Sequence, residues 1–162
     1  MKLLVFISFI AFITLTSPDE VSAQIAMDNH TVTVSVSEIT LLQVSSGSVN
    51  LTITGANAVA GVDMMSTTDQ SSSLSWGTNG SLKKITVQSN LAAPLFTLKV
   101  LALNPTQGLA SPEVTLSSAW QDFLLNIGRT SGSCTLRYTG IAYASQGMGT
   151  DTHSITFTIQ TQ

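Results

Sequence analysis

Few side chains in this chain could do chemistry, and their spacing narrows the classes they could serve. Nucleophilic hydrolysis needs a Ser or Cys activated by a His that a carboxylate orients. The chain has His30 and His153 and no other histidine. His153 follows Asp151 by two positions at the head of an alternating segment, so a surface role as partner of Asp151 is expected rather than that of a general base. His30 falls near the expected new N-terminus, where chains fray. No G-x-S-x-G elbow occurs, and the nearest approach, Gly128 to Gly132, has Thr130 at its centre. Cys134 is the sole cysteine, which leaves no internal disulfide, and its alternation with Leu136 and Tyr138 predicts a buried thiol. Outside the leader the acids are Asp28, Glu38, Asp63, Asp69, Glu113, Asp122 and Asp151, dispersed over turns and strand ends with no glycosidase-like pair. Asp63 and Asp69 share one loop-like stretch and are expected to be solvated acids rather than calcium ligands. H-x-x-x-H, C-x-x-C and EF-hand patterns are missing, so no catalytic, cofactor-binding or metal residue is predicted.

Trp76, Trp120, Tyr138 and Tyr143 are the residues with which a sugar-binding surface would stack on pyranose rings. Trp76 keeps register with Leu74, and Tyr138 with Leu136, which predicts core positions for both. Trp120 joins Phe123, Leu124 and Ile127 in a stripe of helical spacing. Tyr143 is the aromatic expected at the surface.

Around these residues the chain is organised by an N-terminal address. Lys2, the apolar run Leu3 to Leu15, Pro18 and the end Val21-Ser22-Ala23 follow the order of a secretory signal, with cleavage expected after Ala23. The run is shorter than the ~20 apolar residues of a membrane span, and no Cys follows it to carry a lipid. Residues 24–162 are then one domain, secreted or held in the cell envelope and not inserted in the membrane.

The remaining bases, Lys83, Lys84, Lys99, Arg129 and Arg137, are scattered, and the net charge of the whole chain is -3. Nucleic-acid binding requires clustered cations to displace counterions, and Lys83 and Lys84 would point to opposite faces of a strand. A basic amphipathic helix for anionic lipid is missing as well.

Residues 24–162 alternate apolar and hydroxylated side chains at period two, between Gly, Asn, Ser and Pro punctuation. Val32, Val34 and Val36 oppose Thr31, Thr33, Ser35 and Ser37 in the cleanest such segment. Ile39 to Val44 and the run Val49, Leu51, Ile53 follow as a hairpin or successive strands about Ser45-Ser46-Gly47. Gly55 to Ser73 reads as a surface loop with at most a short irregular strand. Leu74 and Trp76, the turn Asn79-Gly80, and Ile85 and Val87 predict a hairpin. Further strands are predicted over 95–102, 114–116, 133–141 and 154–159, with a short helix near 118–127 capped by Ser117 or Ser118 and stopped at Gly128. About eight or nine strands without alternating helices predict an all-β, antiparallel β-sandwich, Ig-like or jelly-roll-like, although periodicity alone leaves closure into a barrel open.

The run Leu74-Ser75-Trp76-Gly77-Thr78-Asn79 with Lys83-Lys84-Ile85-Thr86, together with Leu136-Arg137-Tyr138-Thr139 and Thr156-Phe157-Thr158-Ile159, resembles small secreted bacterial proteins of unassigned function. More distantly it is similar to WxL-type and pilin-like sandwich domains of bacterial surfaces. Neither Trp76 nor Trp120 is followed by the x-Leu of WxL domains, and Cys134 cannot form the internal disulfide of many pilin-like subunits. The resemblance implies a bacterial surface setting and transfers no site residue.

The expected function is that of a non-enzymatic structural or adhesive protein. Its partners would be itself or another surface protein, met through sheet edges, with Thr31 to Ser37 as the pairing strand. The alternative is an extracellular carbohydrate-binding module.

Overall fold

The computed structural model describes residues 27–45 and 47–162; the expected signal, residues 1–23, lies outside the described residues, as does Ser46 of the expected turn. The chain divides into two units, 1–35 and 36–162. In the first, the described residues 27–35 form neither helix nor strand.

The second unit holds the strands β1 (Thr40–Val44), β2 (Met64–Thr78), β3 (Lys83–Ser89), β4 (Thr97–Leu103), β5 (Leu109–Ala110), β6 (Val114–Thr115), β7 (Gln121–Ile127), β8 (Thr130–Tyr143) and β9 (Ile155–Thr161). They form two antiparallel sheets, one in the order β1-β2-β8-β4-β6 and the other β5-β7-β3-β9. The expected all-β sandwich is the observed fold, one of its sheets curled into a half-barrel.

Alternation determines what each sheet buries, because successive side chains of a strand point to opposite faces. Leu74 and Trp76 of β2, Ile85 and Val87 of β3, Val100 and Ala102 of β4, and Cys134, Leu136 and Tyr138 of β8 all face the shared core. Most of the intervening Ser, Thr and Lys positions lie outward or only partly covered, but in β3 Lys83, Thr86 and Ser89 are buried as well. Between the sheets the rings of Phe123 and Phe157 meet at 5.3 Å and 59°, a tilted contact favoured by their quadrupoles.

Four expectations are corrected. The helix near 118–127 is the strand β7. Against β3 its register slips between Lys83 and Ile85 and again between Ile85 and Thr86, so two extra residues are accommodated as bulges. These slips, with Asn126 at φ 56°, bring Phe123, Leu124 and Ile127 all inward and reproduce a helical spacing in extended chain.

The second correction concerns the Asn79-Gly80 hairpin, since β2 and β3 belong to different sheets. Asn79 spends its polar groups on residues 37–39. Its N–H donates to the Ile39 carbonyl at 3.2 Å, its Oδ1 accepts the Ile39 N–H at 2.7 Å, and its Nδ2 donates to the Ser37 carbonyl at 2.8 Å. Leu82 at φ 53° then carries the chain across to the other sheet.

The third is Gly55 to Ser73, of which Met64 onward is the first two-thirds of β2. The β2–β8 register shifts between Asp69 and Ser72, and Asp69 Oδ1 holds that irregularity by accepting the Ser71 N–H at 2.9 Å and hydroxyl at 2.7 Å. One slip in the middle of a polar strand erased its period.

The last correction is that neither Thr31 to Ser37 nor Val49 to Ile53 is a strand. Each has the alternation, but a strand exists only through a ladder, and neither has a pairing edge.

Gly132 sits directly opposite Trp76 in the β2–β8 ladder. A Cβ there would stand 2.6 Å from Cζ2 and 2.7 Å from Cε2 of the buried indole. Gly132→Ala should therefore lower stability by about 1–3 kcal/mol through overpacking. Gly77→Ala, where a Cβ meets nothing within 4 Å, should leave the urea midpoint little changed.

Candidate functional site

The residues singled out in the sequence are placed by the sandwich at widely separated points. Cys134 lies on the inner face of β8 and is 4% exposed. Burial pushes its thiol up to about 11, against a weaker lowering by a backbone hydrogen bond from Leu74, so the nucleophilic thiolate is scarce at neutral pH. Tyr138, four positions along the same face, is pushed up to about 12 by burial and, secondarily, by Cys134. Trp76 is buried with Nε1 unpartnered. His30 lies in the described part of the first unit and is exposed.

His153 does not partner Asp151. Its Nδ1 shares a 2.8 Å hydrogen bond with the Ser89 hydroxyl, and that oxygen also accepts the Leu91 N–H at 3.2 Å. Asp151 Oδ2 accepts the Phe96 N–H at 2.7 Å. Both contacts tie the head of β9 to the connection between β3 and β4. Ser89 is 1% exposed, so an acyl substrate reaches its oxygen only if that junction opens. The Ser–His contact was invisible in sequence because the residues are 64 positions apart.

Asp69 holds the β2 irregularity, and its hydrogen bonds from Ser71 keep its carboxyl below the usual range. Asp63 Oδ1 accepts the Ser145 N–H at 3.3 Å. The two aspartates serve different loops, and no group of three metal-ligating side chains occurs among the described residues.

The cations are mostly paired. Lys83 meets Glu38, Lys84 meets Asp122 at 2.8 Å, and Lys99 and Arg137 converge on Glu113 at 3.7 and 3.2 Å. Thr139 adds its hydroxyl to the same Glu113 oxygen at 3.3 Å, making one polar cluster on the outer face of the larger sheet. The partly exposed pairs contribute little stability, and among the described residues they leave no basic patch.

What the fold concentrates instead lies at the sheet edges. On one side the sheets end in β5 and β6, each of two residues. On the other they end in β1 and β9, of five and seven residues, with no charge and no Pro in either. Short edges resist adventitious pairing, whereas a long, uncharged edge is a template for another strand.

Between β9 and the inner face of the larger sheet runs a cleft of about 1030 Å³, lined by Leu51, Phe96, Leu98, Ile141, His153 and Ile155 among others. Residues 47–53 lie along it. Val49 and Leu51 pack against the core, and Leu51 rests over Gly140, where a Cβ would stand 3.4 Å from its Cδ1. This strap is fastened outside its ends. The Ser45 N–H donates to the Ser73 carbonyl at 2.9 Å, and Asn57 Nδ2 donates to the Ser66 carbonyl at 3.2 Å. Among the described residues 47–53 make no main-chain hydrogen bond.

The end of the sandwich where β3 and β8 finish and β4, β7 and β9 begin carries much exposed apolar surface. Leu116 N–H bonds the Leu98 carbonyl and Ser89 N–H the Ser117 carbonyl, which brings the ends of both sheets together there. Trp120 and Tyr143 are 48% and 39% exposed at this end, with Met64, Leu95 and Met148. Trp120 thus departs from the expected apolar stripe, because β7 begins only after it.

Among the described residues no helix is long and apolar enough to cross a membrane. Comparison of the chain with protein-family models, curated proteins and solved structures returned no match.

The buried thiol gives a direct check on the core. Native protein should react with iodoacetamide at pH 8 about a hundredfold more slowly than an ordinary cysteine, and denaturation should restore the normal rate. Fast native labelling would place Cys134 at the surface.

Proposed function

We propose that this chain is a secreted or cell-surface structural and adhesive β-sandwich protein, acting through protein–protein contacts rather than by turnover. One observation carries the reading. Val32, Val34 and Val36 stand 72%, 82% and 71% exposed on a segment with strand alternation and no ladder. Water-exposed valines at this spacing are costly unless another surface takes them, since burying each contributes roughly 1.5–3 kcal/mol. Further support comes from the export-type leader in the sequence and from the resemblance to bacterial surface sandwiches. The long uncharged edges β1 and β9 supply what such a segment pairs with.

Deleting residues 24–37 should convert an assembling protein into a soluble, folded monomer, measured by light scattering coupled to gel filtration. The reading fails if the intact processed protein stays monomeric at high concentration.

A second reading is favoured by the two exposed aromatics at one end of the sandwich. Trp120 and Tyr143 could stack on sugar rings there, as an extracellular carbohydrate-binding module would require. On a glycan array the protein should then give hits that Trp120→Ala and Tyr143→Ala remove. An array without hits disposes of this alternative.

A further inference from the structure

We infer that the surface receiving the Thr31 to Ser37 segment is the free edge of β9 in a second copy of this chain, paired antiparallel with Val34 opposite Phe157. The inference rests on the assembly reading above and names its acceptor.

Two long edges are on offer, and the geometry of β9 favours it. The pairing of β9 with β3 fixes which of its main-chain groups are spent. Gln162 N–H bonds the Leu82 carbonyl at 2.8 Å and Asn90 N–H bonds the Ser154 carbonyl at 3.1 Å. In an antiparallel ladder hydrogen-bonded positions alternate, so the even residues between them face β3. Ile155, Phe157, Ile159 and Thr161 therefore direct their N–H and C=O groups away from β3, to the unpaired edge. Their side chains Ile155, Phe157 and Ile159 pack against the core. An added strand must continue that inner face with apolar residues at alternate positions and offer polar ones outside.

Thr31 to Ser37 meets this requirement. With residues 31–37 set against 154–160, Val32, Val34 and Val36 fall opposite Ile159, Phe157 and Ile155, while Thr31, Thr33 and Ser35 fall opposite Gln160, Thr158 and Thr156. Shifting by one residue would turn every Val to solvent, so the choice of register is restricted. Neither stretch carries a charge, so pairing desolvates no ion. The strap at 47–53 has the same alternation, Val49, Leu51 and Ile53, beside the head of β9, yet makes no ladder among the described residues. The strap lines this cleft without closing it, and the main chain of the β9 edge stays unpaired. A second copy supplies the ladder without having to displace a hydrogen-bonded strand.

β1 is a poorer acceptor. It has five residues to the segment's seven, and its outward Leu41 is 65% exposed.

The register makes a sharp test. Because even residues of β9 bond β3, Ser35 and Thr156 would form a non-hydrogen-bonded pair across the new edge. Cα atoms in such pairs are ~4.5 Å apart, within disulfide reach. Ser35→Cys and Thr156→Cys are both exposed positions, and native Cys134 is buried. Mixing the two single variants of the processed protein under mild oxidation should give a 35–156 intermolecular disulfide, identified by mass spectrometry of peptides. Ser35→Cys mixed with Gln43→Cys on β1 should give at least tenfold less cross-link.

Ile155→Pro removes one edge donor at the first residue of β9 and should abolish assembly while thermal unfolding stays cooperative. Should that variant not fold, the cross-link in the Thr156→Cys background decides alone. Assembly that is lost in Val34→Lys but cross-links through residue 43 rather than 156 overturns the β9 assignment and leaves the assembly reading standing. If Val34→Lys assembles like the unaltered protein, or the unaltered protein does not assemble, both fall.

Discussion

The ladder between β2 and β8 is the interaction on which the rest of this structure depends. It runs from Met64 opposite Tyr143 to Thr78 opposite Thr130, longer than any other pairing among the described residues. β1 is attached to β2 and β4 to β8, and β6 reaches the pair only through β4. Its inner face supplies Leu74, Trp76, Cys134, Leu136 and Tyr138 to the core, so the smaller sheet has an apolar surface to pack on. The close approach of Trp76 to Gly132 fixes the register at one end. The Asp69 and Ser71 irregularity interrupts that ladder in the middle and is held by two hydrogen bonds from Ser71.

That spine also determines where the protein is open. Because β2 and β8 lie near the centre of the larger sheet, edges appear on both sides, and the two sides are treated differently. β5 and β6 are too short to pair with much. β1 and β9 are long and uncharged, and near the head of β9 lies a cleft that a strap lines with side chains but joins by no ladder. A chain without disulfides gains its stability from core and ladders, so an unfinished ladder beside exposed valines is the feature that invites a functional explanation.

Among the described residues the polar pairings have a physical origin in the same arrangement. Ser89 and His153 do meet, but at the junction of two strands, where the hydroxyl is buried and shared with the Leu91 N–H. Asp151, which adjacency in sequence assigned to His153, is held by Phe96. The cationic groups Lys99 and Arg137 are drawn together by one Glu113 across neighbouring strands. Each of these pairings depends on strand order, which residues adjacent in sequence cannot report.

Alternation in the sequence was sufficient for the all-β class and for the inward apolar side chains of β3, β8, β9 and the end of β2 from Leu74 on, because a period of two admits one apolar face. Burial of Cys134, Trp76 and Tyr138 followed from the same rule. The tertiary structure alone decided that Phe123, Leu124 and Ile127 form a bulged strand, since a bulge places residues three and four apart on one side and imitates a helix. It alone decided that Asn79-Gly80 joins two sheets, since the groups of Asn79 are taken by residues 37–39 from far upstream. It likewise decided that two of the clearest alternating segments, 31–37 and 47–53, have no ladder. Periodicity states which face of a strand is apolar, and only the packing of the other strands states whether an edge is there to receive it.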